Sequence, residues 1–278
     1  MMNLYNKVCI QLSKRITWSY STSFTLGIKM LHKKLHDPIY SIYGFVRLAD
    51  EIVDTFHDYD KDLLFKRFSQ QTWEAINERI STNPILQSFQ LTVHKYNIDH
   101  QLITAFLQSM EMDLHRNEHS TNSYNEYIFG SAEVVGLMCL KVFCNGDAVD
   151  YERLKSPAQK LGAAFQKVNF LRDLNSDFFD RGRTYFPSVD LSNFNDQTKR
   201  EIEQDIDYDF KDAYKGIIEL PNEARFGVYV AYIYYQALLR KIKNKPAHSI
   251  RNERVRVPNK EKIALLFACW FRFRLNIL

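Results

Sequence analysis

Val168–Pro187 reads VNFLRDLNSDFFDRGRTYFP, an apolar stretch that carries Asn169, Asp173, Asp177 and Asp180 and closes on Arg181, Gly182 and Arg183. An α-helix advances about 100° per residue, which brings all four polar groups within about 60° of Gln166 on one face. Phe165, Val168, Leu171 and Phe179 fall elsewhere. Three carboxylates stacked at successive turns repel one another and weaken a helix unless a cation sits between them. The stretch therefore predicts a helix whose acidic face has work to do, with a solvated acidic surface as the competing reading.

The helical period extends outward from this segment. Ile39, Ile42, Tyr43, Val46, Ala49, Val53 and Phe56 trace one apolar stripe, and Leu102, Phe106, Met110 and Leu114 another. Val228–Leu239 is apolar nearly all round and predicts a central helix. Only 9 Gly and 7 Pro punctuate 278 residues, which suits long helices. Asn83-Pro84, Ser156-Pro157, Leu220-Pro221 and Lys245-Pro246 are expected at loops or helix starts. Alternation of period two is sparse, and no repeat or domain boundary is visible. The expectation is an all-α, single-domain chain over residues 1–278.

Cys9, Cys139, Cys144 and Cys269 form no CxxC pair and have no His at metal-ligand spacing, so four reduced thiols are expected. His32 and His36, four apart, lack a third ligand and read as surface histidines. No signal peptide is visible at the start, and the apolar run Ile263–Phe271 is far shorter than the ~20 residues of a membrane span. These features predict a cytoplasmic protein. Charge is uneven: Arg240–Arg274 holds 11 Lys/Arg against Glu253 and Glu261, a surplus of +9 that leaves the rest of the chain at −5. With Trp270 and Phe271 beside Arg272 and Arg274, this end fits peripheral contact with anionic lipid at the inner face of the cell membrane, or an anionic substrate. A solvated basic helix end fits equally, and no nucleic-acid module is legible.

A second acidic helix face occurs in YGFVRLADEIVD, Tyr43–Asp54, where Arg47, Asp50 and Asp54 align. Either face alone reads more simply as solvated. Two of them, each in an apolar helix and each with an Arg within one turn, suit hard oxygen coordination of Mg²⁺, which binds through a few carboxylates and substrate phosphates. The implied substrate is a diphosphate. Arg172, Arg181 and Arg183 offer forked donors to its oxygens.

At this point the motifs resemble a known family. Asn169-x-x-Arg172-Asp173-x-x-x-Asp177 followed by Arg181-Gly182-Arg183-Thr184-Tyr185-Phe186-Pro187 resembles the second aspartate motif of the squalene/phytoene synthases. Arg47-x-x-Asp50-x-x-x-Asp54 resembles the first. Tyr20-Ser21-Thr22-Ser23-Phe24, the small-residue helix Tyr127–Gly136, Ile233-Tyr234-Tyr235 and Glu253-Arg254-Val255 are similar to further family elements, in family order. The resemblance implies an isoprenoid synthase-type helical bundle with a central prenyl-binding cavity. It implies a prenyltransferase that condenses two prenyl diphosphates head to head.

Carried over by residue, the resemblance makes Asp50, Asp54, Asp173, Asp177 and Asn169 ligands of Mg²⁺ (or Mn²⁺), the four aspartates acting in catalysis together with Arg172. Ser21, Arg47, Tyr127, Gln166, Asn169, Arg172, Arg183, Tyr234 and Arg254 would bind substrate, and Ser131, Ala132 and Gly136 would leave room for the chains. Arg-Gly-Arg-x-Tyr-x-Pro is closer to the phytoene synthase branch, which implies two geranylgeranyl diphosphates, a prephytoene diphosphate intermediate and 15-cis-phytoene, the entry to carotenoids, with no NADPH. The alternatives are a C30 dehydrosqualene or squalene synthase using farnesyl diphosphate, and a non-catalytic relative serving as an assembly factor. One residue departs from the pattern: Glu133 stands where the family has a small residue, and is expected to turn outward or meet a basic group, with a local kink or rotation of the helix.

Overall fold

Several helices begin at side chains that satisfy the first free backbone N–H groups. In the computed structural model, which describes residues 2–115, 120–179, 182–187 and 194–275, no strand occurs among the described residues. The chain begins with α1 (Met2–Tyr20), α2 (Thr22–Lys29) and α3 (Lys33–Thr55). Asp60 Oδ1 then accepts from Leu63 N–H at 2.9 Å to start α4 (Lys61–Glu78). Asn83 Oδ1 accepts from Ile85 N–H at 3.0 Å to start α5 (Pro84–Tyr96), with Pro84 at a position that needs no donor. After α6 (His100–His115), α7 (Thr121–Ile128) passes through a π-helical turn, Phe129–Glu133, into α8 (Val134–Phe143). The long α9 (Ala148–Phe179) is followed by α10 (Asp196–Ile217), α11 (Asn222–Lys243), the short α12 (Ala247–Ile250) and α13 (Asn259–Arg274).

Three of the four proline sites behave as the sequence predicts, opening α5 or preceding α11 and α12. Ser156-Pro157 does not. Pro157 lies inside α9, where a missing N–H typically costs about 3 kcal/mol. Packing offsets the loss: a Cβ built on Gly216 would come within 2.3 Å of Pro157 Cβ, so the ring sits directly on the α10 backbone.

Of the three apolar clusters of the core among the described residues, two frame the site and the third joins α11 to α13 around Tyr229, Val230 and Cys269. In the first, α3, α4, α5 and α6 meet around Phe45, whose ring stacks on Phe89 at 3.9 Å and tilts against Phe106 at 5.2 Å. In the second, α7, α9, α10 and α11 pack with Tyr185 and Phe186, and Phe170 stacks on Tyr185 at 4.1 Å. Helices α2, α3, α8, α9, α10 and α11 together with the π turn enclose a cavity of about 310 Å³. Gly162 lets α9 run against that turn, since a Cβ there would meet the Ala132 carbonyl oxygen at 2.6 Å.

The π turn accounts for Glu133. One extra residue per turn rotates the helix so that Ser131, Ala132 and Gly136 line the cavity. Glu133 is half-buried away from it and accepts from Gln159 Nε2 at 2.9 Å. Burial raises its carboxyl above the usual range, while Gln159 and the charge of Lys160 pull it back. The four cysteines are free, and burial pushes the Cys139 thiol up to about 12. No helix among the described residues is long and apolar enough to cross a membrane.

Candidate active site

Both acidic helices run out of the cavity at the same end. On α3, Tyr43 and Val46 line it; on α9, Phe165, Gln166 and Asn169 do. Asp50 and Asp173 each follow a lining residue by four positions, about 6 Å further along the helix. The predicted acids thus stand one turn beyond the apolar space on two separate walls.

Each wall carries its own guanidinium. Arg47 donates through Nη1 to Asp50 and through Nη2 to Glu51, and its Cζ lies 4.3 Å from the Tyr20 ring centroid. Its buried Nε has no hydrogen-bond partner. Opposite, Asp173 accepts from Arg172 Nε at 3.0 Å and from Arg254 Nε at 2.7 Å, so a residue from the segment after α12 reaches the second motif. Arg172 is largely buried; burial works against its charge, but Asp173 outweighs that and keeps the guanidinium firmly protonated.

A third group ties the walls together. The chain leaves α9 through Gly182, at φ 65°, with Arg183 N–H donating to the Asp177 carbonyl at 2.8 Å. A positive φ is cheap only for glycine, and it turns Arg183 back into the protein. Arg183 Nη1 donates to Asp54 Oδ1 at 2.7 Å and Nη2 to the Asp113 carbonyl at 2.9 Å. Asp113 accepts from Tyr127 Oη at 2.6 Å and from Tyr185 Oη at 3.3 Å. Burial raises the Asp113 carboxyl to about 7, against the opposing pull of Arg183 and the Tyr127 bond. Burial also disfavours the Arg183 charge, yet Asp113, Tyr185 and Asp54 together raise its pKa above the ordinary value.

The structure therefore brings together Arg47, Asp50, Asp54, Gln166, Asn169, Arg172, Asp173, Arg183 and Arg254. Asp177 is buried on the same face of α9. Tyr127 joins through Asp113 rather than at the cavity. Ser21 caps α2, accepting from Phe24 N–H at 3.1 Å. Asp180 and Arg181 lie outside the described residues. Tyr234 is not brought to the site: its hydroxyl donates to the Lys262 carbonyl at 2.8 Å, on the side of α11 facing α13. Its neighbour Tyr235, about 100° round the helix, donates to Asn169 Oδ1 at 3.3 Å and stacks on Phe165 at 3.9 Å. His32 caps α3 and the His36 ring meets the Leu31 carbonyl, so both serve the local structure around the start of α3.

Sequence reasoning passed over Asp113, Tyr185 and Tyr235. Asp113 was visible as a lone acid on the apolar face of α6, a signal that something cationic must meet it. Among the described residues no three Asp, Glu, His or Cys side chains converge on one point. The acids of the two motifs are instead spread over two walls, several of them held by arginines.

The squalene/phytoene synthase family model matches residues 18–261. The chain is 27% identical to a phytoene synthase of Arthrospira platensis, over 95% of this chain and 93% of that protein. It is 26% identical to a 4,4'-diapophytoene synthase of Staphylococcus haemolyticus, over 70% and 68% of the two chains. Its fold superposes on the crystal structure of a ligand-bound dehydrosqualene synthase with a TM-score of 0.83, covering 97% of this chain and 98% of the other at 18% identity.

Proposed function

The chain belongs to the squalene/phytoene synthase family, and on that premise we propose that it condenses two geranylgeranyl diphosphates head to head into phytoene, with Mg²⁺ and without NADPH. The observation that carries the reading is the placement of arginine-paired carboxylates one turn beyond an apolar cavity on both walls. A long apolar chain fits the cavity, and a diphosphate fits the charged end.

The residues fit a metal-bound diphosphate. Asp50, Asp54, Asn169, Asp173 and Asp177 are hard oxygen donors of the kind Mg²⁺ prefers. The buried, unpartnered Nε of Arg47 is a donor waiting for an acceptor. Bound there, Mg²⁺ would neutralise charge on the leaving diphosphate. With the carboxylates held by the metal, the forked donors of Arg47, Arg172 and Arg254 would be available to phosphate oxygens, where negative charge develops as the C1–O bond breaks. The double bond of the second substrate attacks the allylic cation, and loss of a proton gives a cyclopropylcarbinyl diphosphate. That intermediate loses its diphosphate in turn, rearranges and loses a second proton. The balance is two substrates to one C40 hydrocarbon, two diphosphates and two protons, with diphosphate as the proton acceptor. Phe165 lines the cavity with Tyr235 stacked on it, and its ring would stabilise cationic carbon and help keep water out.

The test is incubation of the purified protein with Mg²⁺ and the C15 or C20 prenyl diphosphate, with and without NADPH, followed by identification of the hydrocarbon. A C40 product without NADPH is expected, and EDTA abolishes it. The structural likeness to a dehydrosqualene synthase favours a C30 product as the second reading. No hydrocarbon from folded protein overturns both.

A further inference from the structure

Helix α13 has one packed edge and one bare one. Leu265, Leu266, Cys269 and Phe273 face α11, with Phe273 4.9 Å from Phe226. On the other side Ile263, Phe267, Trp270 and Phe271 are between 44% and 60% exposed. These four fall within a stripe about 100° wide, on which Lys260 and Arg274 also lie. Each large apolar side chain left in water forgoes about 1.5–3 kcal/mol of burial, so four in a row mark a contact surface more than scatter. The four exposed apolar side chains lie beyond residue 261, where the family match ends.

We propose that this face of α13 docks on an anionic lipid bilayer. Aromatic and aliphatic residues on the exposed side with Lys and Arg along it are the chemistry of a helix lying in a membrane interface. Charge chooses among occupants. The segment Arg240–Arg274 carries a surplus of +9, so a second copy docked face to face would set like charge against like. Phosphatidyl headgroups of net negative charge instead meet Lys260 and Arg274 while the rings enter the acyl boundary.

Docking here orients the active site. The start of α13 is pinned to it: Lys262 Nζ donates to Thr22 Oγ1 at 2.8 Å, beside Ser21, and the Lys262 carbonyl accepts from Tyr234. Held on the bilayer, the charged end of the cavity lies close to where an amphiphilic prenyl diphosphate partitions. That consequence rests on the proposed substrate, whereas the docking itself is measured without substrate.

The experiment sediments the full chain with vesicles of phosphatidylcholine alone or mixed with phosphatidylglycerol, and runs sedimentation velocity without lipid. The parent protein binds the phosphatidylglycerol vesicles, less so as salt is raised. The F267S/W270S/F271S variant and the K260E/R274E variant each bind on the order of tenfold more weakly or worse. Both variants keep parental turnover of detergent-dispersed substrate and parental sedimentation. The proposal is overturned by a parent that ignores anionic vesicles, by an apolar-face variant that binds as well as the parent, or by a self-associated parent that this variant converts to monomer. A failed hydrocarbon assay leaves the vesicle result standing, so the two readings fail separately.

Discussion

Two arginines of the site do opposite kinds of work. Arg47 binds acids three and four positions away on its own helix, and about a quarter of its side chain is exposed. Arg183 is buried and joins Asp54 of α3 to Asp113 of α6, across sequence separations of 129 and 70 residues. The first pair is made by any helix with that spacing. The second exists only when three distant segments have packed. A local pair can open toward a ligand at little cost to the fold; a buried one holds the walls at their distance, and opening it exposes uncompensated charge.

Substitutions separate these roles, beginning with the largest effect. Asp173→Asn should cut kcat by roughly 10³-fold, because it removes a proposed metal ligand and the partner of Arg172 and Arg254 at once. Circular dichroism and Tm should stay near parental values; full turnover by this variant would break the assignment of the second motif.

Asp113→Ala comes next and strikes the fold. Removing it leaves Arg183 buried with one carboxylate fewer, and urea unfolding should show a loss of about 3–5 kcal/mol. The milder Asp113→Asn should change the pH profile of stability. A buried carboxyl raised to about 7 binds its proton more tightly folded than unfolded, so stability falls as pH rises from about 4 toward 7. Asparagine cannot ionise and should flatten that part of the curve.

Arg47→Ala sharpens the contrast from the other side. Stability should move by no more than about 1 kcal/mol, whereas kcat/KM should fall roughly 10²-fold as the diphosphate loses a donor. Equal damage to stability by Arg47→Ala and Asp113→Ala would erase the distinction between local and long-range pairs. A smaller effect is expected at Tyr235→Phe, where one hydrogen bond to Asn169 is worth about 1 kcal/mol and so several-fold in kcat/KM. Tyr234→Phe should affect turnover less and instead loosen α13, read as faster amide exchange around Lys262.

What was legible in the sequence follows the range of the interactions. The all-α character, the acidic faces of α3 and α9 and the Arg47 pairs rest on spacing within one helix, so periodicity reveals them. The small residues Ser131, Ala132 and Gly136 do line the cavity, and the π turn at Glu133 is the local rotation that a charge in a small-residue stretch predicts, although its π-helical form is not legible locally. The break at Ser156-Pro157 was misplaced because the cost of an internal proline is local while its compensation, the bare α10 backbone at Gly216, lies about 60 residues away.

Adjacent tyrosines make the same point on a finer scale. Tyr234 and Tyr235 are equivalent as letters, and the phase of α11 against α9 and α13 decides which one meets Asn169. By itself the sequence determined the helices and their acidic and apolar faces, because each depends on the rotation of about 100° per residue, and its motifs carried the family resemblance. The tertiary structure alone decided that Asp113 and Arg183 hold the walls together, that Tyr235 enters the site, and that one face of α13 stays bare. Those outcomes depend on which surfaces meet across the fold, a choice that burial of the whole core makes and no single segment encodes.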